Sequence, residues 1–182
     1  MEFDLTGLSE YEISEIRRLL AKSPNDPPQL EDIWRMMDEV WDSLGCDNRN
    51  PNWDKIEEFY KHPVWILNGF FIEQHPLSMH HRNAVAAWIA QNNISSILDY
   101  GGGFGTSARL IAERDQGIEI DIYEPYPSKV AVLKAEAYPN IDSVSSLGKK
   151  YDCAISMDVF EHAPDPLKLF AEVIETVNIG GF

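Results

Sequence analysis

Two carboxylates flanking a run of glycines are the features of this chain that point most directly to chemistry. Asp99 and Tyr100 lead into Gly101-Gly102-Gly103-Phe104-Gly105, and Glu124 follows 23 residues after Gly101. A glycine-rich turn of this kind adopts left-handed backbone angles and lets a ligand lie against bare main chain. The helix-like segment after it, Thr106 to Glu113, starts with unpaired N–H groups and the positive end of its dipole. That end suits a carboxylate or a phosphate. Glu124 closes an alternating apolar and polar stretch from Gly117, the pattern of a strand. An acid at the tip of the second strand, about 20 residues on, is placed to take ribose hydroxyls.

Two ligand classes fit these residues. Gly103-Phe104-Gly105-Thr106-Ser107-Ala108 matches G-x-G-x-x-A, the dinucleotide fingerprint. Counted from Asp99, the same turn is acid-x-Gly-x-Gly-x-Gly. Glu124 serves both, so it argues for a ribose-bearing ligand without naming it.

A third stretch narrows the choice. Tyr151 to Met157 has the composition of a buried strand; Asp158, Val159, Phe160, Glu161, His162, Ala163 and Pro164 then form a loop. A helix opens beyond it, with Asp165 as N-cap and Pro166 at its first position. With the acid-Gly-x-Gly-x-Gly turn and Glu124, this stretch resembles the class I S-adenosylmethionine-dependent methyltransferases, in particular their small-molecule branch. The resemblance covers Arg82 to Phe182. It implies a Rossmann-like, doubly wound α/β fold and S-adenosylmethionine as cofactor. It further implies a cofactor site of Asp99, Gly101, Gly102, Gly103, Gly105, Glu124, Asp158 and Val159. Asp99 would favour the ammonium of the methionine part, the glycine turn its carboxylate, and Glu124 the ribose. Asp142 or a serine among Ser143, Ser145 and Ser146 is expected near the adenine.

The implied reaction is methyl transfer to an oxygen or nitrogen of a small-molecule acceptor. Its alternatives are an idle S-adenosylmethionine-binding protein and a nicotinamide-type oxidoreductase. Methyl transfer needs alignment, and a base only where the acceptor must lose a proton. Glu161 and His162 lie in the loop past the last strand, where open parallel sheets gather their active sites. His80 and His81 precede the helix Asn83 to Ala90 and are further candidates for the base; Arg82 is a candidate partner of the methionine carboxylate. No metal site is expected. Adjacent histidines point to different sides of a helix, and no cysteine or acid partners stand at ligand spacing.

These side chains need elements to hold them. Strands are expected at Ser96–Tyr100, Glu119–Glu124, Asn140–Val144 and Cys153–Met157, and a helix at Asp165–Val177. The sequence then ends at Asn178-Ile179-Gly180-Gly181-Phe182. Beside the family pattern, the sheet is expected to be C-terminally incomplete, and its exposed edge favours self-association. Residues 1–75 differ in kind, reading as successive amphipathic helices. Leu8, Ile13, Ile16, Leu19 and Leu20 mark one, Leu30 to Leu44 a second, and Asn50-Pro51 opens a third. This helical extension is a candidate lid or acceptor-binding cover for a cofactor domain at 76–182. Its aromatic residues are read first as packing.

Composition bounds the rest. The formal net charge is −15, from 15 Lys and Arg against 30 Asp and Glu, and no basic cluster exceeds Lys149-Lys150. A phosphate backbone is repelled by such a field, so nucleic acid is not expected as a partner. The chain is 44% apolar and holds two cysteines, Cys46 and Cys153, which suits a globular protein in a reducing, cytoplasmic setting. The most apolar window, Val64 to Ile72, is too short to cross a membrane.

Overall fold

The computed structural model describes residues 3–182. Two compact units divide the chain: one runs to Pro76 and takes in Ser128–Val130, and the other comprises Leu77–Pro127 and Ala131–Phe182.

The first unit is helical. Helix α1 (Glu10–Leu20) starts later than its apolar stripe, because Ser9 and Glu12 form a capping box that fixes the start. Helix α2 (Leu30–Leu44) stops where Gly45 turns left-handed at φ 67°. Helix α3 (Trp53–Tyr60) opens on Asn52, whose side chain accepts from the Asp54 and Lys55 amides. The apolar window becomes helix α4 (Val64–Gln74), with Val64, Ile66, Leu67, Phe70 and Phe71 buried. A helix apolar on every side belongs in the middle of its unit. The Phe59 ring meets Trp41, Tyr60 and Trp65 at 5.1, 5.5 and 5.5 Å, edge to face. These aromatics are packing, as their helical spacing suggests.

The second unit is α/β. Its elements are α5 (Pro76–Ala90), β1 (Ser96–Tyr100), α6 (Thr106–Ala112), β2 (Glu119–Tyr123), α7 (Lys129–Ala135), β3 (Ile141–Val144), β4 (Cys153–Ile155), a 3₁₀ turn (Phe160–His162) and α8 (Pro166–Glu175). Four parallel strands lie in the order β3-β2-β1-β4. Asp99 stands beside Ile122 on one neighbour and Ile155 on the other. One sheet face packs Ile97, Ile120, Ile122, Cys153 and Ile155 against Ala86 and Ile89 of α5 and Ala108 and Ile111 of α6. The opposite face packs Leu98, Tyr100 and Tyr151 against Val173 and Leu169 of α8. Helices cover both faces, so the sheet is doubly wound. That also explains why β1 is a continuous apolar run and not an alternating one.

Several expected boundaries shift. Helix α5 begins at Pro76, so His80, His81 and Arg82 lie inside it rather than ahead of it. Strand β4 ends at Ile155, two residues early, and β2 ends at Tyr123, leaving Glu124 just past its tip. At the β4 edge, the Phe182 amide donates to the Asp152 carbonyl and the Ala154 amide to the Phe182 carbonyl, each at 2.9 Å. Phe182 thus continues the parallel main-chain pairing beyond β4.

Candidate cofactor site

The order β3-β2-β1-β4 reverses the direction of winding at β1, and the crevice beyond the strand ends at that point is where such sheets take ligands. Asp99 is the penultimate residue of β1 there, only 3% exposed. The Ala108 amide, on α6, bonds its carboxylate. Oδ2 is buried and has no hydrogen-bond partner. Burial pushes the Asp99 pKa up to about 7; the Ala108 amide and then the Arg82 charge pull it back, while Glu124 pushes it further up. An orphaned carboxylate oxygen in such a place is a vacant acceptor for a charged donor.

The glycine turn is fixed by its own main chain. The Gly101 amide donates to Tyr123 O at 2.7 Å, and the Gly105 amide to Gly102 O at 2.8 Å. Gly101, Gly103 and Gly105 all have positive φ, at 69°, 54° and 70°. Gly102 is required by proximity: a Cβ there would lie 2.8 Å from Asp99 Oδ2 and 2.9 Å from Ile122 Cγ2. Gly103 differs, since a Cβ on it would meet nothing closer than 3.9 Å. Its bare face is open to a ligand.

Glu124 braces this turn from the tip of β2. Its Oε2 accepts from the Gly103 amide at 2.9 Å and its Oε1 from the Tyr126 amide at 3.1 Å. Each oxygen keeps a second lone pair for an incoming hydroxyl. Beside it is a cavity of about 100 Å³, lined by Gly103, Gly105, Ile122, Glu124, Pro127, Ala131, Val132, Ser143 and Val144. Its walls are mostly apolar, with one acid and one hydroxyl, a lining suited to a flat heterocycle with a sugar attached. Asp142 does not line it. Alternation along β3 turns Ser143 toward the cavity and Asp142 away.

On the β4 side, Asp158 holds a left-handed conformation, φ 58°, rare for a residue with a side chain. Its Oδ2 lies 3.6 Å from Arg82 Nη2, and Arg82 Nη1 donates to the Ser78 carbonyl at 3.4 Å. Val159 packs onto Gly101, where a Cβ would come within 2.5 Å of its Cγ2. Asp99, the glycine turn, Glu124, Arg82, Asp158 and Val159 therefore gather around the ends of β1, β2 and β4. Ser156 joins them unforeseen, its buried Oγ without a partner. Its position directly after β4 brings it there, and a serine after an apolar run carries no signal of its own.

Candidate bases stand at the margin. Glu161 and His162 are exposed in the 3₁₀ turn directly after Val159. His80 and His81 are exposed on α5, their ring centroids 6.0 Å apart. Among the described residues no group of three or more His, Cys, Asp or Glu is placed to hold a metal ion.

A family model described as a methyltransferase domain matches residues 70–182, more than half of the chain. No curated protein matches it. Among solved structures, an O-methyltransferase family protein from Burkholderia thailandensis superposes with a TM-score of 0.62 at 16% identity, over 93% of this chain and 51% of that one. The chain thus spans about half the length of that relative. Magnesium protoporphyrin IX methyltransferase from Synechocystis PCC 6803, solved with bound S-adenosylmethionine, aligns at 17% identity over 95% of this chain and 75% of that one, TM-score 0.44. A plantazolicin methyltransferase in complex with S-adenosylhomocysteine aligns at 16% identity, over 92% of this chain and 58% of that one, TM-score 0.43.

Proposed function

Because the chain belongs to the methyltransferase-domain family, we propose that it binds S-adenosylmethionine at the ends of β1 and β2 and transfers the methyl group to a small-molecule oxygen or nitrogen. The observation that carries this reading is the pairing of two features at neighbouring strand ends. They are the unpartnered Asp99 Oδ2 and the apolar cavity whose polar corner is Glu124.

The residues present fit the cofactor. Asp99 Oδ2 offers an acceptor to the ammonium of the methionine part, and Glu124 offers its spare lone pairs to the ribose hydroxyls. Ile122, Pro127, Ala131 and Val132 give the adenine an apolar slot, with Ser143 at its rim. S-adenosylmethionine supplies a methyl group already activated by its sulfonium, so the chain's own task is to orient and to exclude water. Val159 narrows the crevice over Gly101. Glu161, His162, His80 and His81 are the groups available to take a proton from an acceptor hydroxyl or amine. The helical unit before Leu77 is assigned the selection of the acceptor.

Calorimetric titration with S-adenosylmethionine, S-adenosylhomocysteine and NAD tests the reading. Saturable binding of the first two and none of NAD supports it, and the reverse overturns it. Glu124→Ala is expected to weaken S-adenosylhomocysteine by about 1.5–3 kcal/mol, the value of hydrogen bonds to a charged group. An unchanged dissociation constant would remove Glu124 from the site.

A further inference from the structure

We infer, on the S-adenosylmethionine reading above, that this chain contacts the edge of the purine through the hydroxyl of Ser143 and not through an acid. It therefore accepts a 6-oxo purine about as readily as a 6-amino purine.

Among the described residues that line the cavity beside Glu124, two side chains carry polar atoms, Glu124 itself and Ser143. They stand at separate places. Glu124 directly follows β2, and its oxygens accept from the Gly103 and Tyr126 amides at 2.9 and 3.1 Å. Those bonds tie it to the glycine turn, the end of the slot assigned to the sugar. Ser143 comes from β3, the strand at the far edge of the sheet. The other side chains of the lining, Ile122, Pro127, Ala131, Val132 and Val144, are hydrocarbon throughout.

The register of β2 and β3 keeps the neighbouring acid out of this slot. Ser143 pairs with Ile122, which lies on the sheet face covered by α5 and α6. Asp142 pairs with Asp121, whose Oδ2 accepts from the Tyr151 hydroxyl at 2.7 Å on the face covered by α8. Paired residues share a face and successive residues alternate, so Asp142 and Ser143 serve opposite sides of the sheet.

The two kinds of group select differently. A carboxylate only accepts, so it favours a 6-amino group and leaves a 6-oxo oxygen facing another acceptor. A hydroxyl rotates, accepting from the amino group of one purine or donating to the oxygen of the other. The same freedom serves the adjacent ring nitrogen, an acceptor in the first purine and a donor in the second. Ser143 is also exposed, so water reaches this edge and pairs with either form.

The test is calorimetric titration of the whole chain with S-adenosylhomocysteine and with its 6-oxo counterpart, S-inosylhomocysteine. The two dissociation constants are expected to agree within about fivefold, less than one well-made hydrogen bond is worth. Ser143→Asp is expected to shift their ratio toward the 6-amino ligand by about tenfold or more, because the introduced carboxylate can only accept. Asp142→Asn should leave the ratio unchanged. A larger preference for either ligand in the unaltered chain would overturn the inference. So would a ratio that moves in Asp142→Asn or stays fixed in Ser143→Asp. If Ser143→Asp fails to fold, the unaltered chain and Asp142→Asn still decide. Failure of both ligands to bind the unaltered chain would instead bring down the cofactor reading.

Discussion

At the scale of single residues, Asp99 carries a cost that stability measurements can read. Its carboxyl is raised in the folded chain, so the fold keeps a proton that the unfolded chain has already lost. Folding is therefore favoured most at acid pH for this group. That contribution falls as pH rises from about 4 to about 7 and is flat above. Asparagine at 99 has the same shape and no charge to bury. Asp99→Asn is expected to raise the thermal midpoint of the ligand-free protein at pH 8, by the equivalent of a few kcal/mol. The gap should close as pH is lowered toward 4, while stabilisation by S-adenosylhomocysteine is lost. Parallel melting curves for the two proteins across that range would mean the carboxylate is ionised at no cost. If instead the gap opens as expected, the site accepts stability lost in the ligand-free state in exchange for an acceptor ready to receive a cation.

At the scale of elements, His62 sets a comparable test within the helical unit. Its Nδ1 accepts from the Val64 amide at 3.1 Å, at the first turn of α4, and its Nε2 lies 3.3 Å from Glu15 Oε1 on α1. The Val64 amide leaves no room for a proton on Nδ1, so the ring stays neutral with its hydrogen on Nε2. Burial lowers its pKa, and Glu15 opposes that only in part. The unfolded chain then takes the proton first as pH falls, so stability declines below about 6.5 until the folded ring protonates too. Amide exchange at the start of α4 is expected to quicken between pH 7 and pH 5 beyond its intrinsic change. His62→Asn, which keeps an acceptor near Nδ1, should abolish that excess; if the excess persists, His62 is not its source.

Such pairings were beyond the sequence, as were the start of α5 and the whole of α7. Helix α5 opens on Pro76 directly after α4, and α7 is one short stretch after two prolines. By contrast β1, its turn and α6 were legible. A strand buried on both faces has to be an apolar run, and a turn with three left-handed residues has to be glycine. Asp99 and Glu124 could be found because chain order puts them at strand ends. The bearing of Arg82 on Asp99 depends on how α5 packs, which no spacing encodes.

At the scale of the whole molecule, the charge of −15 acts on any ligand before contact does. S-adenosylmethionine bears a sulfonium, an ammonium and a carboxylate, a net charge of +1 below the ammonium pKa. S-adenosylhomocysteine lacks the sulfonium and is neutral overall. In the proposed site their local contacts with Asp99, Glu124 and the apolar slot would otherwise be the same, so the difference between them isolates the attraction of the distant field. At an ionic strength of about 0.1 M the screening length is about 10 Å, so charges farther than that from the site are largely screened. Raising salt from about 20 mM to about 300 mM should therefore weaken S-adenosylmethionine several-fold and leave S-adenosylhomocysteine nearly unchanged. The ratio of the two dissociation constants, measured at pH 7 across that range, is the quantity to follow. A ratio independent of salt would mean that the sulfonium is sensed only by groups within contact distance, and that the surplus of acids serves solubility alone.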